Sequence, residues 1–267
     1  MMASLRRMRR CLETETAYHL ACLKLLQRQP GNPFGIICRP SQTGLIAAMA
    51  PGLPLSAFNR VRGLRPGFAG KIAPLRAWYA AAGVAGGFET VPGYWEPALG
   101  AELARLDYYQ SRFEVCFAAV PQRQAAALPL IERVDSAGQL EAWLAAGEAW
   151  PGHAGAAAFA AMMRAGLGTP GWSLYLGSLE GRPAAAAILF IDAGVGYCEV
   201  MAAAAAPCQE LAPALLLRAM ADAAARGVEL VCSQADWLSE RQQRLARLGL
   251  EVVFVRALWT PLPPRRG

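Results

Sequence analysis

The C-terminal stretch SQADWLSERQQRLARLGLEVVFVRALW, residues 233–259, contains the pattern that decides the fold. Residues 244–249 of this stretch read RLARLG and precede the apolar run EVVFVRALW, while residues 102–107 read ELARLD and precede RFEVCF. In the same way AAAGV at 80–84 matches AARGV at 224–228. Both pairs are separated by nearly the same number of residues, which predicts that the chain contains an internal duplication.

The second half predicts three strands in a meander, followed by alternating helices and strands. Turn sequences at 180–182 and 193–196 separate the first three strands, and glycines close both helices. The predicted order is strand 172–179, strand 183–192, strand 197–203, helix 213–226, strand 228–234, helix 238–248 and strand 250–259.

The first half repeats the later part of that order. Its predicted elements are strand 58–64 (FNRVRGL), helix 71–82, strand 87–91, helix 97–106 and strand 111–120. The polar and alanine-rich residues 121–127 are the predicted linker, and a strand at 128–134 opens the second half. Ser136 is the expected N-cap of a helix over 139–146, and a further helix is predicted at 156–165.

The composition is that of a well-packed globular protein, with 55% hydrophobic and 17% charged residues. The net charge of +6 is scattered, apart from arginines near both ends, which we expect to be solvated tails. Since no predicted helix has a sustained basic face, nucleic-acid binding is disfavoured. Coenzyme A and acyl carrier proteins are also anionic, and both are compatible with the charge.

Neither a metal site nor a membrane span is predicted. The seven cysteines form no CxxC pair, and the chain has only two histidines. The sequence therefore lacks the ligand spacing of a zinc site. Their odd number and the lack of a secretory signal predict a cytoplasmic protein. The apolar run 184–206 is long enough to span a bilayer, but Asp192, Glu199 and two glycines interrupt it. Two buried strands are the better interpretation.

The second half resembles the GNAT superfamily of N-acyltransferases, and the whole chain resembles bacterial members with a fused, degenerate first copy. The resemblance rests on FNRVRGL in the first half, the Leu-Glu-Gly-Arg turn at 179–182, the hairpin and the stretch 233–259. It implies an α/β (α+β) fold of two tandem GNAT-like domains, each a mixed, mostly antiparallel sheet flanked by helices. Residues 1–121 would form the degenerate domain and 122–267 the complete one.

In that family a splayed strand binds the pantetheine of acetyl-CoA or another acyl-CoA, the co-substrate. Here that strand would be 197–203, which makes Val200, Met201 and Ala202 the expected contacts. A loop of the form Arg/Gln-x-x-Gly-x-Gly/Ala then wraps the pyrophosphate at the next helix N-terminus. One alignment places Pro207 at the arginine and Glu210 at the glycine. The other uses the segment 209–214, in which the candidate cofactor contacts are Gln209, Glu210, Leu211 and Ala212.

In either alignment the loop has lost its glycine. Pro207 and Pro213 remove N–H donors that would otherwise contact phosphate, and Glu210 adds a negative charge beside the phosphates. We therefore expect weakened binding of acyl-CoA. Arg244 lies near the place where the family has an asparagine close to the cofactor. It either compensates for the lost phosphate contacts or belongs to a solvated helix face.

The resemblance also implies catalytic groups. Glu199 is the candidate base that removes a proton from the attacking ammonium, unless it points outward on an alternating strand. Ser239 is the candidate acid for the thiolate, and it reads equally well as a helix N-cap. Cys198 and Cys208 flank the predicted acyl site, but neither has a nearby histidine that would activate it.

Three further residues are candidate substrate contacts. Asn59 and Arg60 belong to a first-half strand that would face the cleft between the copies, or they make structural hydrogen bonds at a strand edge. Asp236 would contact an acceptor amine, although an aspartate at a strand-to-helix turn commonly only forms hydrogen bonds within the turn.

The expected function is an acyltransferase that moves an acyl group from acyl-CoA to an amine of a small molecule. Two alternatives stay open. In one, the donor is carrier-bound, on an acyl carrier protein or an aminoacyl-tRNA, and in the other the protein is a non-catalytic GNAT-like binding partner. Loss of the loop glycine favours the alternatives, while Glu199 and the hairpin favour the enzyme.

Overall fold

A computed structural model describes residues 2–41, 44–53, 55–122, 131–148, 155–202 and 206–263. The helices are α1 Met2–Gln27, α2 Ala69–Ala81, α3 Pro97–Arg105, α4 Ala137–Glu148, α5 Ala156–Gly166, α6 Ala206–Ala225 and α7 Glu240–Arg247. The strands are β1 Ile37–Pro40, β2 Ile46–Met49, β3 Arg60–Arg62, β4 Gly87–Thr90, β5 Tyr108–Ala119, β6 Ile131–Arg133, β7 Trp172–Leu179, β8 Arg182–Asp192, β9 Val195–Ala202, β10 Leu230–Asp236 and β11 Glu251–Pro261.

All eleven strands belong to one sheet, in the order β1-β2-β3-β4-β11-β5-β10-β9-β8-β7-β6. Two neighbouring pairs, β3–β4 and β9–β10, are parallel, and the others are antiparallel. Helices pack on the sheet and bury three apolar clusters. The predicted mixed, mostly antiparallel α/β class is confirmed.

The two halves repeat one order of elements. The order β1-β2-β3-α2-β4-α3-β5 returns as β7-β8-β9-α6-β10-α7-β11. The turns repeat as well, because Gly83 and Gly227 end equivalent helices with φ of 67° and 72°. Asp107 and Gly249, with φ of 60° and 81°, end the next equivalent pair. The left-handed conformation that closes each helix is therefore present in both copies.

The halves exchange their last strands. The C-terminal β11 lies between β4 and β5 of the first half, while β5 lies between β11 and β10 of the second. Near the middle of the β5–β11 pair Arg256 lies opposite Glu114. The repeat makes these two positions equivalent, so the pseudo-twofold axis passes close to a pair of opposite charges. Because each half completes the sheet of the other, the strands of both halves form one continuous sheet and not two separate sheets.

The N-terminal arginines belong to α1, so the expectation of a solvated tail is wrong for them. Helix α1 buries Cys11, Tyr18 and Leu26 in the larger core cluster. Arg7 pairs with Glu251 at 2.6 Å, and Arg10 pairs with Glu229 at 2.7 Å. Both acidic partners belong to the second half, so α1 ties the two copies together.

The apolar run 184–206 forms most of β8 and β9 as an antiparallel pair, as predicted. Among the described residues, no helix is long and apolar enough to cross a membrane. Ser136 accepts a hydrogen bond from the Gln139 backbone N–H at 3.3 Å, which confirms the predicted cap. Residues 123–130, which hold most of the predicted linker and the start of the predicted strand 128–134, lie outside the described residues.

Candidate functional site

Strands β9 and β10 run side by side over three residue pairs and then diverge. The last paired residues are Tyr197 and Cys232. Beyond them β9 continues to Ala202 and β10 to Asp236, so a wedge-shaped gap opens between the strands. Val200 and Met201 lie on the diverging part of β9, where the resemblance expects contacts to pantetheine. The Ala202 side chain lies outside the described part.

Side chains bridge this gap. Ser233 Oγ donates to the Cys198 carbonyl at 2.7 Å, and Arg241 Nη1 donates to the Val200 carbonyl at 3.2 Å. Arg241 Nη2 also lies 3.4 Å from Ser233 Oγ. A pantetheine that used the β9 edge at Val200 would have to replace the Arg241 contact.

Helix α6 begins earlier than predicted, at Ala206 instead of Pro213. The segment 209–214, which one alignment assigned to the phosphate loop, therefore lies within the first turns of the helix. Pro207 is the second helical residue, where a missing N–H costs nothing, and Pro213 lies inside the helix. Glu210 is exposed, Leu211 is buried in the core and Ala212 is half-buried, while the Gln209 side chain lies outside the described part. Leu211 is thus a packing residue.

Glu199 faces a cavity of about 240 Å³ on the side of the sheet covered by α1. Helices α1 and α5, the loop before β3 and strand β9 enclose it. The walls include Leu26, Leu55, Phe58, Phe159, Met162 and Met201. Glu199 therefore does not point into solvent on an alternating strand, and its carboxylate lies at a small, mostly apolar chamber beside the diverging strands.

Two neighbouring side chains of α1 set the electrostatics of this cavity. Tyr18 donates a hydrogen bond from its hydroxyl to Glu199 Oε2 at 3.0 Å. Burial raises the pKa of Tyr18 well above its ordinary value, which keeps the phenol protonated as a donor. Burial, followed by the positive charge of Arg62, lowers the pKa of His19, so its imidazole is neutral near pH 7.

A buried charged cluster lies beneath the first-half strands. Arg256 binds both carboxylate oxygens of Glu15 and lies 3.3 Å from Glu89. Arg60 lies 3.5 Å from both Glu89 and Glu114. Burial alone would raise the pKa of Glu15, but the interactions with Arg256 and His19 together outweigh burial, and the pKa falls below the ordinary value. Arg60, the predicted substrate contact, is thus 4% exposed and held by carboxylates.

Asn59 makes structural hydrogen bonds, which is the second of the two alternatives that the sequence left open. Its Oδ1 accepts from the Ala50 backbone N–H at 2.8 Å, and its Nδ2 donates to the Leu53 and Leu55 carbonyls at 2.6 and 3.1 Å. These bonds use both amide hydrogens. Asn59 therefore folds back the loop that carries Leu55, one wall of the Glu199 cavity.

The remaining predicted residues lie around the start of α7. Ser239 accepts from the Gln242 backbone N–H at 3.2 Å and so forms the N-cap, the alternative that the sequence left open. Asp236 is exposed at the end of β10, 3.8 Å from Arg112, and does not line the Glu199 cavity. Arg244 is half-buried one turn after Glu240, and it has an interaction partner in the structure.

Cys198 is fully buried on β9 and packs in the core on the α6 side. Burial raises the pKa of its thiol to about 12. A thiol that is neutral at pH 7 is a poor nucleophile, which argues against a covalent acyl-cysteine. The Cys208 side chain lies outside the described part.

The first half has a cleft at the equivalent place. Its parallel strands β3 and β4 pair through Val61 and Phe88. A second cavity, of about 290 Å³, opens beyond them and is lined by Gly63, Leu64 and Arg65 together with α1 and Tyr94. Each half therefore has its own diverging strand pair and its own cavity, on different parts of α1.

Sequence reasoning missed Tyr18, His19 and Arg241. The first two lie on α1, which was not predicted because its apolar positions are interspersed with charges that have partners more than 200 residues away. One available signal was the spacing of Glu15 and His19, which are neighbours on a helix, here 3.6 Å apart. Arg241 had no local signal, because the gap that it enters forms only in the fold.

No protein-family model matches the sequence, and no curated protein matches it. Solved structures do match almost end to end. A GCN5-related N-acetyltransferase from Kribbella flavida superposes with a TM-score of 0.62 and 19% identity, over 94% of this chain and 96% of that one. A tandem GNAT protein from the clavulanic acid biosynthesis pathway gives a TM-score of 0.57 and 15% identity, over 94% and 95%.

A functionally unknown conserved protein from Staphylococcus epidermidis gives a TM-score of 0.61 at 9% identity, over 85% of this chain and 94% of that one. At such low identities the likeness concerns the fold. The chain has the fold of the GNAT superfamily, in its tandem two-domain form, as the sequence predicted.

Proposed function

We propose that the protein is an N-acyltransferase that moves an acyl group from acyl-CoA to an amine of a small molecule. The observation that carries the proposal is the position of Glu199. Its carboxylate faces a small, mostly apolar chamber, accepts a hydrogen bond from Tyr18 and lies on the diverging part of β9. A base next to a cleft between two strands is the arrangement that aminolysis of a thioester requires.

The proposed transfer balances as follows. The acceptor ammonium gives one proton to Glu199, which passes it to solvent, and the free amine attacks the thioester carbonyl carbon. The C–S bond breaks, the nitrogen loses a second proton, and the leaving thiolate takes it up. The products are an amide, the thiol of CoA and one released proton. Tyr18 holds the carboxylate in place, and no metal takes part in this scheme.

A second candidate has its own support. Arg241 and Ser233 bridge the gap beside β9, and only 203–205 separate β9 from α6, with no glycine among them. A donor on an acyl carrier protein or an aminoacyl-tRNA needs less of the pyrophosphate contact than free acyl-CoA. The same features would also suit a non-catalytic binding protein.

The test is a thermal-shift titration with CoA, acetyl-CoA and longer acyl-CoAs, followed by an assay of free thiol released from acyl-CoA with a panel of amines. Ligand at about 100 times its Kd stabilises the fold by about 2.7 kcal/mol, which such a titration detects. Amine-dependent thiol release supports the enzyme. Failure of every CoA ester to bind at millimolar concentration overturns a CoA-dependent enzyme in favour of the second candidate.

Glu199→Gln is the diagnostic variant. It keeps the size of the side chain and its hydrogen bond with Tyr18 but removes the base, so amine-dependent thiol release should fall about 10²- to 10⁴-fold. Binding of CoA should stay unchanged. Glu180→Gln, in the turn between β7 and β8, is the matched control and should have wild-type activity.

We also propose a domain division at 121/122 and a cytoplasmic location. Strands β5 and β6 lie on either side of that division, and the exchange of β5 and β11 fastens the domains together. The described cysteines are free thiols, which suits a reducing compartment. Retention of free thiols after isolation without reductant at physiological pH is the corresponding measurement.

A further inference from the structure

The cavity at Glu199 is selective in charge. Among the described residues that line it, the acidic side chain is Glu199, and none is arginine or lysine. Tyr18 stays protonated and His19 stays neutral, for the reasons given above, while burial raises the pKa of Cys22 and keeps that thiol neutral. The described part of the lining therefore offers a carboxylate and no cation, which suits an ammonium group.

The same lining disfavours an acid group on the acceptor. A carboxylate or phosphate in this chamber would be desolvated without a counter-ion, and burial of an unpaired charge is very unfavourable. Arg62 contacts the wall, because its Nη2 donates to the carbonyl of Ala57. Arg62 is itself buried, lies 3.7 Å from Glu89 and is therefore not offered to a ligand.

The rest of the chamber suits an apolar body. Most of the other described lining residues have aliphatic, aromatic or thioether side chains, with two methionines that adapt to ligands of different shape. The volume of about 240 Å³ is below the roughly 300–1,000 Å³ of sites for drug-sized ligands. The polar group Ser56 is exposed at the loop, which marks the open side of the chamber.

We infer that the acceptor is a small apolar primary amine, an alkylamine or arylalkylamine without an acid group, held with its ammonium at Glu199. The inference rests on the proposed function for its chemistry and names the substrate class of the same site. It excludes amino acids as preferred acceptors, since their carboxylates would have no partner. It also excludes polyhydroxylated amines, whose hydroxyls would be buried against Leu26, Phe159 and Met162.

The test measures binding of matched amines without any acyl donor. Calorimetry compares 2-phenylethylamine with phenylalanine and with 2-phenylethanol, and hexylamine with 6-aminohexanoate. We expect each simple amine to bind at least tenfold more tightly than its carboxylated partner, and 2-phenylethylamine to bind at least tenfold more tightly than 2-phenylethanol. In Glu199→Gln the advantage of 2-phenylethylamine over 2-phenylethanol should disappear, while Glu180→Gln should retain it.

Three outcomes would overturn the inference: phenylalanine binding as tightly as 2-phenylethylamine, amine binding that Glu199→Gln leaves unchanged, or no binding of either simple amine. The thiol-release assay separates this failure from failure of the proposed function. Release of thiol with amino acids alone would leave the enzyme standing and refute the acceptor class. Tight, Glu199-dependent binding of apolar amines without release of thiol would uphold the acceptor site and refute the enzyme.

Discussion

The two diverging strand pairs, β3–β4 and β9–β10, have the same geometry and different chemistry. On the face of the sheet that α1 covers, Arg62 of β3 and Glu199 of β9 each lie beyond the last parallel pair. The turn before α2 contains Gly63 and Gly67, whereas residues 203–205, between β9 and α6, are all alanine and lie outside the described residues. The first half thus has the glycine-containing turn without the carboxylate, and the second half has the carboxylate without the glycine.

The side chains beside the two strand pairs, on the side of the sheet that α1 covers, differ as well. Arg60, Arg62 and Glu89 lie on the α1 side of the first half, whereas Tyr197 and Cys232 lie on the α1 side of the second. Charges in the first half hold the exchanged strands together, whereas neutral residues lie beside Glu199 in the second. The comparison shows how one duplicated unit becomes specialised, with one copy assigned to holding the sheet and the other to the candidate chemistry.

The largest effect on stability should come from the buried charged cluster around Arg256. Arg256→Met leaves Glu15, Glu89 and Glu114 buried with one fewer cation, and breaking a buried ion pair in this way costs about 3–5 kcal/mol. Urea unfolding at pH 7 measures the loss. Arg112→Met is the matched control, because Arg112 also contacts Glu114 but is 46% exposed, and it should cost less than about 1 kcal/mol.

Adding Glu15→Met to Arg256→Met should recover part of the lost stability, since it removes one uncompensated carboxylate. If Arg256→Met unfolds at the same urea concentration as the wild type, the charges do not hold the halves together. The difference between the charged residues of the first half and the neutral residues of the second would then have no role in holding the sheet together.

The glycines of the first wedge should rank next. A Cβ on Gly63 would lie 2.3 Å from the Gly44 carbonyl oxygen, and its φ is +79°. Gly63→Ala should therefore destabilise the fold by about 3 kcal/mol, from left-handed strain plus overpacking. At Gly67 φ is +83° but no atom lies within 4 Å, so Gly67→Ala should cost about 1–2 kcal/mol. Equal melting temperatures for the two variants would show that Gly63 is not closely packed.

Local signals predicted most of the second half. Turns at 180–182 and 193–196 fixed strands β7, β8 and β9, and Gly227 and Gly249 marked the ends of α6 and α7. The predicted start of α6, at Pro213, is too late, because Pro207 is compatible with the first turn of a helix. Short strands such as β1 and β2 have too few residues for a periodic pattern.

The candidate site was only partly predictable, for a physical reason. Glu199 was found because it lies on the strand where the family resemblance places a carboxylate, which needs no tertiary information. Its partners Tyr18 and His19 lie about 180 residues away on a helix that crosses both copies, and only the closed fold brings them together. Asn59 was assigned to a cleft because a polar residue on a short strand does not reveal whether its amide is already bonded.

A tenfold effect is expected at the gap beside β9. Arg241→Ala removes the hydrogen bonds to the Val200 carbonyl and Ser233, so it should tighten binding of acetyl-CoA about tenfold, or about 1.4 kcal/mol. Calorimetry with acetyl-CoA measures the change. Arg247→Ala, an exposed arginine on the same helix, makes the same change in net charge and should bind like the wild type. Weaker binding by Arg241→Ala would instead make Arg241 a ligand of the phosphates.

The smallest effect is a pH dependence of the free energy of unfolding, which arises from His19 on α1. The pKa of His19 is lowered in the folded state, so the unfolded chain binds a proton that the folded chain does not. Stability from the neutral imidazole is therefore fully present above about pH 6.5 and is lost as the pH falls towards the folded pKa. Between pH 6.5 and 5.5 the free energy of unfolding should drop by up to about 1 kcal/mol because of His19.

Urea unfolding of the wild type and His19→Gln at both pH values isolates the contribution of His19, because every other titrating group is common to the two proteins. Equal drops in both would mean that His19 titrates normally in the folded chain, and the cavity beside Glu199 would then gain a positive charge below pH 6.5.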